Sequence, residues 1–320
     1  MESRGVFSYE NFVHALAGSA GSVVALTSFF PLDTIRSRLQ LEDDRESRTT
    51  LAAGVELVKE EGVWTLYRGM VPVLQSLCVS NFVYFYAFHG LKGLFIAKDQ
   101  NALRDLAFGC VAGALNVLTT TPLWVVNSRM KMQGAKMRKA PSGQSGNVQP
   151  GYEEVKLKYK NIIHGLSKIS EEEGATALWS GTVPSLMLVS NPAIQFMVYE
   201  FLKRRTIGNG GGKKELMAIT YFCMGAMAKT VATVFTYPLQ IVQSRLRFGG
   251  KYQGVHKSMG VLEIMRTILR TQGFIGLYKG LEAKLLQTVL SAALMFLCYE
   301  KITSFVFFIL GVHKKLNARS

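Results

Sequence analysis

Lys229 is the one charged residue between positions 216 and 244 of the chain. A cation in the middle of so apolar a run is costly unless it faces water, an anion or a polar partner. Its chemistry is therefore either the binding of an anionic group such as a phosphate, or a structural hydrogen bond to a carbonyl of a neighbouring helix. Shortly after it comes the last of three related units: Pro31-Leu32…Ser37-Arg38, Pro122-Leu123…Ser128-Arg129 and Pro238-Leu239…Ser244-Arg245. Each is followed, after a polar stretch, by a glycine phrase: Glu61-Gly62…Tyr67-Arg68-Gly69, Glu173-Gly174…Trp179-Ser180-Gly181 and Gln272-Gly273…Tyr278-Lys279-Gly280. Nothing comparable points to an enzyme. His14, His89, His164, His256 and His313 are scattered without metal-ligand spacing, and there is no Walker loop. Gly208-Asn209-Gly210-Gly211-Gly212 lacks the strand and helix that phosphate binding by such a loop requires, and reads as a connector. Cys78, Cys110, Cys223 and Cys298 fall inside apolar runs without paired spacing and read as reduced thiols. The expectation is no catalytic group, no metal and no bound cofactor.

The elements that must position these residues are membrane spans. The chain has 320 residues, 48% hydrophobic and only 18% charged. Residues 70–88, 106–128 and 181–199 carry no charge at all, and each run approaches or exceeds the ~20 residues that cross a hydrocarbon layer of about 30 Å. Six spans follow, over 11–40, 71–92, 104–131, 184–204, 215–247 and 281–310, and define an all-α membrane protein. Residues 1–11 are polar with mixed charges, unlike a secretory signal or a presequence, and the final Ala318-Arg319-Ser320 differs from a Ser-Lys-Leu import tail. The net charge of +15 fits basic loops favouring one membrane face, and equally a positive potential that attracts phosphate-bearing solutes.

The repeated units divide the chain into 1–98, 99–207 and 208–320, each an odd span, an amphipathic stretch and an even span. Two crossings per repeat keep all three in one orientation, related by rotation about the membrane normal. Pro31, Pro122 and Pro238 should kink the odd helices at one depth and draw them together at that face. In the second repeat the amphipathic stretch is 161–172, with Ile162, Ile163, Leu166 and Ile169 expected on one face. That repeat also carries an insertion, 133–158, rich in Gly, Pro, Ser and Lys, which reads either as a flexible solvated loop or as a basic docking patch.

A proline unit, an amphipathic helix and a Gly-aromatic-basic-Gly phrase, three times over, resemble the mitochondrial carrier family across essentially the whole chain. Segments such as Asn81-Phe82-Val83-Tyr84-Phe85-Tyr86 and Asn191-Pro192-Ala193-Ile194-Gln195 are most similar to its peroxisomal member. The resemblance implies six transmembrane helices in three pseudo-symmetric repeats. It further implies a peroxisomal, multi-pass, monomeric antiporter working by alternating access. The transported substrates would be coenzyme A, FAD, FMN, NAD, AMP, ADP and adenosine 3',5'-diphosphate, none of them a bound cofactor. Membrane lipid is the surrounding partner, nucleic acid is not expected, and the basic 133–158 loop would meet the peroxisomal membrane-protein import receptor. The alternatives are a mitochondrial inner-membrane carrier of flavin, folate or pyrimidine nucleotides, and a non-transporting membrane adaptor.

The family pattern also implies two gates. Its Pro-x-acidic-x-x-basic motif is complete only at Pro31, Asp33 and Arg36; Trp124 and Asn127 hold the charged positions in the second copy, Gln240 and Gln243 in the third. Transferred by position, Asp33 faces Asn127, Trp124 faces Gln243 and Gln240 faces Arg36. That leaves no complete ion pair and an inner gate that opens easily, unless Trp124 and the glutamines close it by packing. The outer ring is also depleted, with Ala87 facing Lys203, Glu200 facing Thr303 and Glu300 facing Gly90. Substrate contacts implied around the central cavity are Asn81, Ser190, Asn191 and Gln195 for a base or ribose, and Lys284, Gln287 and Thr288 with Lys229 for phosphate. Each Asn or Gln has the alternative of an interhelical hydrogen bond.

Overall fold

A computed structural model describes residues 9–42, 49–94, 102–138, 152–154, 159–208, 218–249 and 259–294. In chain order the helices are α1 (Tyr9–Leu41), α2 (Thr50–Glu61), α3 (Met70–Leu94), α4 (Ala102–Lys131), α5 (Ile162–Glu173), α6 (Thr182–Leu188), α7 (Asn191–Gly208), α8 (Ala218–Phe248) and α9 (Val261–Gly276). A last helix, α10, runs over 281–294, to the end of the described residues. The spans expected from the apolar runs are therefore α1, α3, α4, α6 with α7, α8 and α10. Residues 215–217 and 295–310 of those spans lie outside the description. Phe82 on α3, Val111 and Leu118 on α4 and Phe235 on α8 are exposed. A surface of that kind is stable against lipid rather than water.

The three prolines lie inside α1, α4 and α8, as expected. Pro122 has no N–H, so the carbonyl of Leu118 one turn earlier loses its helical donor. The indole Nε1 of Trp179, from the glycine phrase of the same repeat, donates to that carbonyl at 2.9 Å. A Trp at this place is thus a hydrogen-bond donor to the kink as well as an aromatic filler. Trp179→Phe keeps the ring and removes the donor. It is expected to cost about 1 kcal/mol, seen as a small drop in melting temperature, whereas Tyr67→Phe should be near neutral.

The arginine of each Ser-Arg pair reaches the residue that opens its own glycine phrase. Arg38 meets Glu61 at 2.9 Å and also Glu42 at 2.8 Å. Arg129 forms a two-pronged pair with Glu173, one bond at 2.9 Å. Arg245 donates to Gln272 at 3.0 Å. These links tie each odd helix to its short amphipathic helix, so the repeated signal in sequence is one repeated clamp. The second glycine of the phrase then packs on the following repeat. Gly181 and Gly280 have φ of 81° and 78°, and a Cβ there would stand 3.3 Å from the Gln243 and Arg36 carbonyls respectively. Only glycine combines that backbone conformation with so close an approach. Around this ring sits the main buried apolar cluster, with Val125, Val126, Met130, Tyr237, Ile241, Phe248, Ile264 and Ile268.

Three expectations need correction. The fourth span is not one helix over 184–204: α6 ends at Leu188, and α7 begins at Asn191. Pro192 is the cause, because it has no N–H to donate to the Leu188 carbonyl, so the helical ladder stops there. Ser190 sits in the break and its hydroxyl donates to the Met187 carbonyl at 2.7 Å. On α5, Ile169 is buried but Ile163 is 76% exposed, so the apolar face is narrower than expected. The 133–158 insertion holds a short antiparallel pair, β1 (Lys136–Arg138) with β2 (Tyr152–Glu154), in which Lys136 is opposite Glu154. The remainder, 139–151 and 155–158, lies outside the described residues, as does any docking role there.

Candidate functional site

Where the odd helices converge, Asp33 of α1 is ion-paired with Lys131 of α4. Arg36 stands 3.7 Å from the same carboxylate, and the Lys131 ammonium also lies 5.2 Å from the centre of the Phe30 ring. This overturns the expectation that no complete ion pair remains. Lys131 lies one helical turn beyond Asn127, so it shares a face with it, and its longer side chain reaches Asp33. Asn127 is only 1% exposed, and neither its amide nitrogen nor its oxygen has a hydrogen-bond partner.

The other pairings expected from position also differ. Gln243 donates to Ser185 of α6 at 2.7 Å rather than facing Trp124 alone. Trp124 carries the guanidinium of Arg247 over its ring, 5.9 Å from the centroid. Gln240 donates to Thr236 in its own helix at 3.3 Å, and no bond to it from Arg36 is seen among the described residues. The first and third repeats are joined instead through Tyr237, whose hydroxyl receives a bond from Gln40 at 3.0 Å and donates to the Lys279 carbonyl at 2.8 Å. At the opposite end, Glu200 pairs within its own helix, with Lys203 at 3.8 Å and Arg204 at 3.9 Å. Glu300 and Thr303 lie outside the described residues.

Around the Asp33 pair cations outnumber acids among the described residues. Lys284 of α10 lies within electrostatic range of Arg36, Lys131, Lys229 and Asp33. The group therefore counts four cations, Arg36, Lys131, Lys229 and Lys284, against the one carboxylate of Asp33. Two further expected residues hold unsatisfied acceptors: Gln287 is buried with its Oε1 unpaired, and the buried Oδ1 of Asn191 has no partner although its Nδ2 donates to Thr236 at 2.7 Å. Thr288 donates to the Lys284 carbonyl at 2.7 Å. Asn81 and Ser190 are exposed and Gln195 is half-buried.

A cleft of about 520 Å³ runs along α4 between α3, α6, α7 and α8. Of the gate residues expected from sequence it takes in Trp124 and Gln243, and it takes in none of the eight expected substrate contacts. Sequence reasoning missed Arg247 at its floor and Asn116, Ser80 and Tyr84 in its walls. Asn116 and Ser80 exchange hydrogen bonds across the α3–α4 contact at 3.0–3.1 Å. A polar Asn within the uncharged 106–128 run was the available signal for the walls. For Arg247 the signal was its register: it follows Pro238 at the spacing by which Lys131 follows Pro122.

A ring of three proline-containing helices in mutual contact, with a half-buried cationic group beside its one inter-helix ion pair among the described residues, is the architecture of a membrane carrier. The chain belongs to the mitochondrial carrier family, whose model, described as mitochondrial carrier protein, matches residues 8–99, 98–210 and 214–309. It is 50% identical over 313 residues to peroxisomal membrane protein PMP34 of Mus musculus, covering 96% of this chain and 97% of that protein. It is 33% identical over 317 residues to the peroxisomal nicotinamide adenine dinucleotide carrier of Arabidopsis thaliana, covering 91% and 94%. It is 29% identical over 316 residues to peroxisomal adenine nucleotide carrier 1 of Glycine max, covering 92% and 91%. The chain is a carrier and not an enzyme.

Proposed function

We propose that this chain is a multi-pass carrier of the peroxisomal membrane that exchanges nucleotide cofactors by alternating access. Its cargoes are coenzyme A, FAD, FMN, AMP and related adenine nucleotides, including NAD, ADP and adenosine 3',5'-diphosphate. The observation that carries the reading is the group of Arg36, Lys131, Lys229 and Lys284 with one acid between them. A cluster of cations with a single acid among them favours a multiply charged anion, and phosphates are the charged part common to these cargoes. The names of the relatives, which include carriers of nicotinamide adenine dinucleotide and of adenine nucleotides, support the same class. Asn191 and Gln287, each with an unpaired buried acceptor, are suited to the hydrogen-bond donors of a base or ribose.

In this reading Asp33, Arg36, Trp124, Asn127, Gln240 and Gln243 belong to the inner closure, with Lys131 as Asp33's partner. Reconstitution of the full chain in liposomes with labelled coenzyme A, FAD and AMP tests it. Exchange of at least one is expected; exchange of none, with folded protein, refutes it. Imaging a tagged chain against peroxisomal and mitochondrial markers tests the address.

Lys229→Gln is expected to weaken uptake of multiply charged cargoes about tenfold or more while affecting AMP less, because a charged hydrogen bond is lost to the phosphate. Equal loss for all cargoes together with lowered thermal stability would assign Lys229 a structural hydrogen bond instead.

A further inference from the structure

Arg247 is half-buried, with its Nε fully enclosed, and differs from the buried arginines of this fold. Arg38 has Glu42 and Glu61, Arg129 has Glu173, and Arg245 has Gln272. Arg247 projects into the floor of the α4 cleft, where its contacts are the Trp124 ring and the Ser185 hydroxyl at 3.3 Å. Among the described residues no carboxylate lies within ion-pair distance of it, and its Nε is buried with no acceptor. Its two counterparts in the repeat are neutral or neutralised: Gln40 is uncharged and Lys131 has Asp33.

A guanidinium withdrawn from water without an anion is costly, and the cost is recovered when an anion arrives. The planar fork, one face on an indole and one edge free, matches a phosphate better than a lone ammonium does. We propose that Arg247, with Ser185 and Trp124, is a second anion seat of the transport path, which receives a phosphate group of the cargo at the inner end of the cleft.

The inference rests on the nucleotide reading above and adds a stop to it. Lys229 and Arg247 are on the same helix, about 27 Å apart at a rise of 1.5 Å per residue, so one phosphate does not touch both. Arg36 is within electrostatic range of both Lys284 and Arg247. The cations thus form a descending series, Lys229, Lys284, Arg36 and Arg247, along which a phosphate is handed from mid-membrane to the inner mouth. The cleft follows the face of α4 opposite the exposed Val111, Leu115 and Leu118, which points the seat to a soluble phosphate rather than to a lipid headgroup.

The test is thermal stabilisation of the purified full-length chain in detergent, titrated with ADP, inorganic pyrophosphate and phosphatidic acid, for wild type, Arg247→Gln and Arg247→Lys. Without ligand, Arg247→Gln should melt no lower than wild type, because it removes a partly desolvated charge that has no carboxylate partner among the described residues. Its half-saturating concentration for ADP and pyrophosphate should rise about tenfold or more, with Arg247→Lys in between. Unchanged half-saturation in Arg247→Gln overturns the seat. So does a response to phosphatidic acid alone. If Arg247→Gln does not fold, Arg247→Lys and Ser185→Ala decide: both must weaken pyrophosphate binding, and neither doing so overturns it. A wild type that responds to pyrophosphate through Arg247 but to no nucleotide refutes the nucleotide reading and leaves the seat standing. A wild type that responds to neither refutes the seat.

Discussion

Glu173→Ala is expected to cost about 3–5 kcal/mol, enough to lower the yield of folded protein sharply. Its partner Arg129 is 0% exposed, is held by both carboxylate oxygens, and donates from Nε to the Arg247 carbonyl at 3.3 Å. Removing the carboxylate strands a fully buried guanidinium, which is the severe way to break such a pair. The third repeat provides the internal control. Arg245 there has a neutral amide, Gln272, in the equivalent place. Gln272→Ala removes a hydrogen bond to a charge without removing a counter-charge, and about 1.5–3 kcal/mol is expected. Melting temperatures of the two variants in detergent check the order. A double variant, Glu173→Ala with Arg129→Met, should recover much of the loss, because it removes the stranded charge as well. Equal destabilisation by the two single variants, or no recovery in the double, refutes this account of the clamp.

The clamp also shows what the sequence does and does not disclose. The Ser-Arg pairs and the Glu-Gly or Gln-Gly phrases repeat at fixed places, because both are set by backbone geometry common to the three repeats. Helix ends were legible for the same reason: α4 ends at Lys131 and α8 at Phe248, against expectations of 131 and 247. Which side chain meets which across helices depends on reach, and reach is not written in register. Asp33 was assigned to Asn127 by position, yet Lys131, one turn further on, takes the carboxylate because its stem spans the gap. The break at 189–190 had a local cause in Pro192, but Pro31, Pro122 and Pro238 lie within continuous helices. At Pro122 a side chain from elsewhere in the repeat satisfies the freed carbonyl, and no local pattern announces that Trp179 will do so. Arg247 was hidden for a further reason. An arginine at the end of a membrane span is ordinary in sequence, and only the absence of an acid around it among the described residues makes it informative.

The Asp33–Lys131 pair carries the second large effect, on transport rather than folding. A carrier that exchanges one cargo for another must resist crossing its closed state when empty. In the exchange reading proposed above, one inter-helix ion pair among the described residues bears that load at the convergence of the odd helices. Lys131→Gln leaves Asp33 with Arg36, its neighbour at 3.7 Å on the same helix, and with no ion pair to another helix among the described residues. Losing about 1.5–3 kcal/mol of charged hydrogen bonding from the closed state should raise uptake into substrate-free liposomes ten- to hundredfold. Exchange against internal cargo should change much less, because bound cargo already opens the gate. Lys131→Arg keeps the charge and the reach and should stay close to wild type. Asn127→Asp offers Lys131 a second acid at a buried position whose amide now bonds to nothing, and should reduce empty uptake below the wild-type level. Lys131→Gln protein that exchanges normally and still takes up nothing into empty liposomes would show that packing of Trp124 and Gln243, not the ion pair, holds the gate. That outcome would shift the search for the closing energy to the Trp124–Arg247 contact, where an arriving phosphate and a closed gate compete for the same guanidinium.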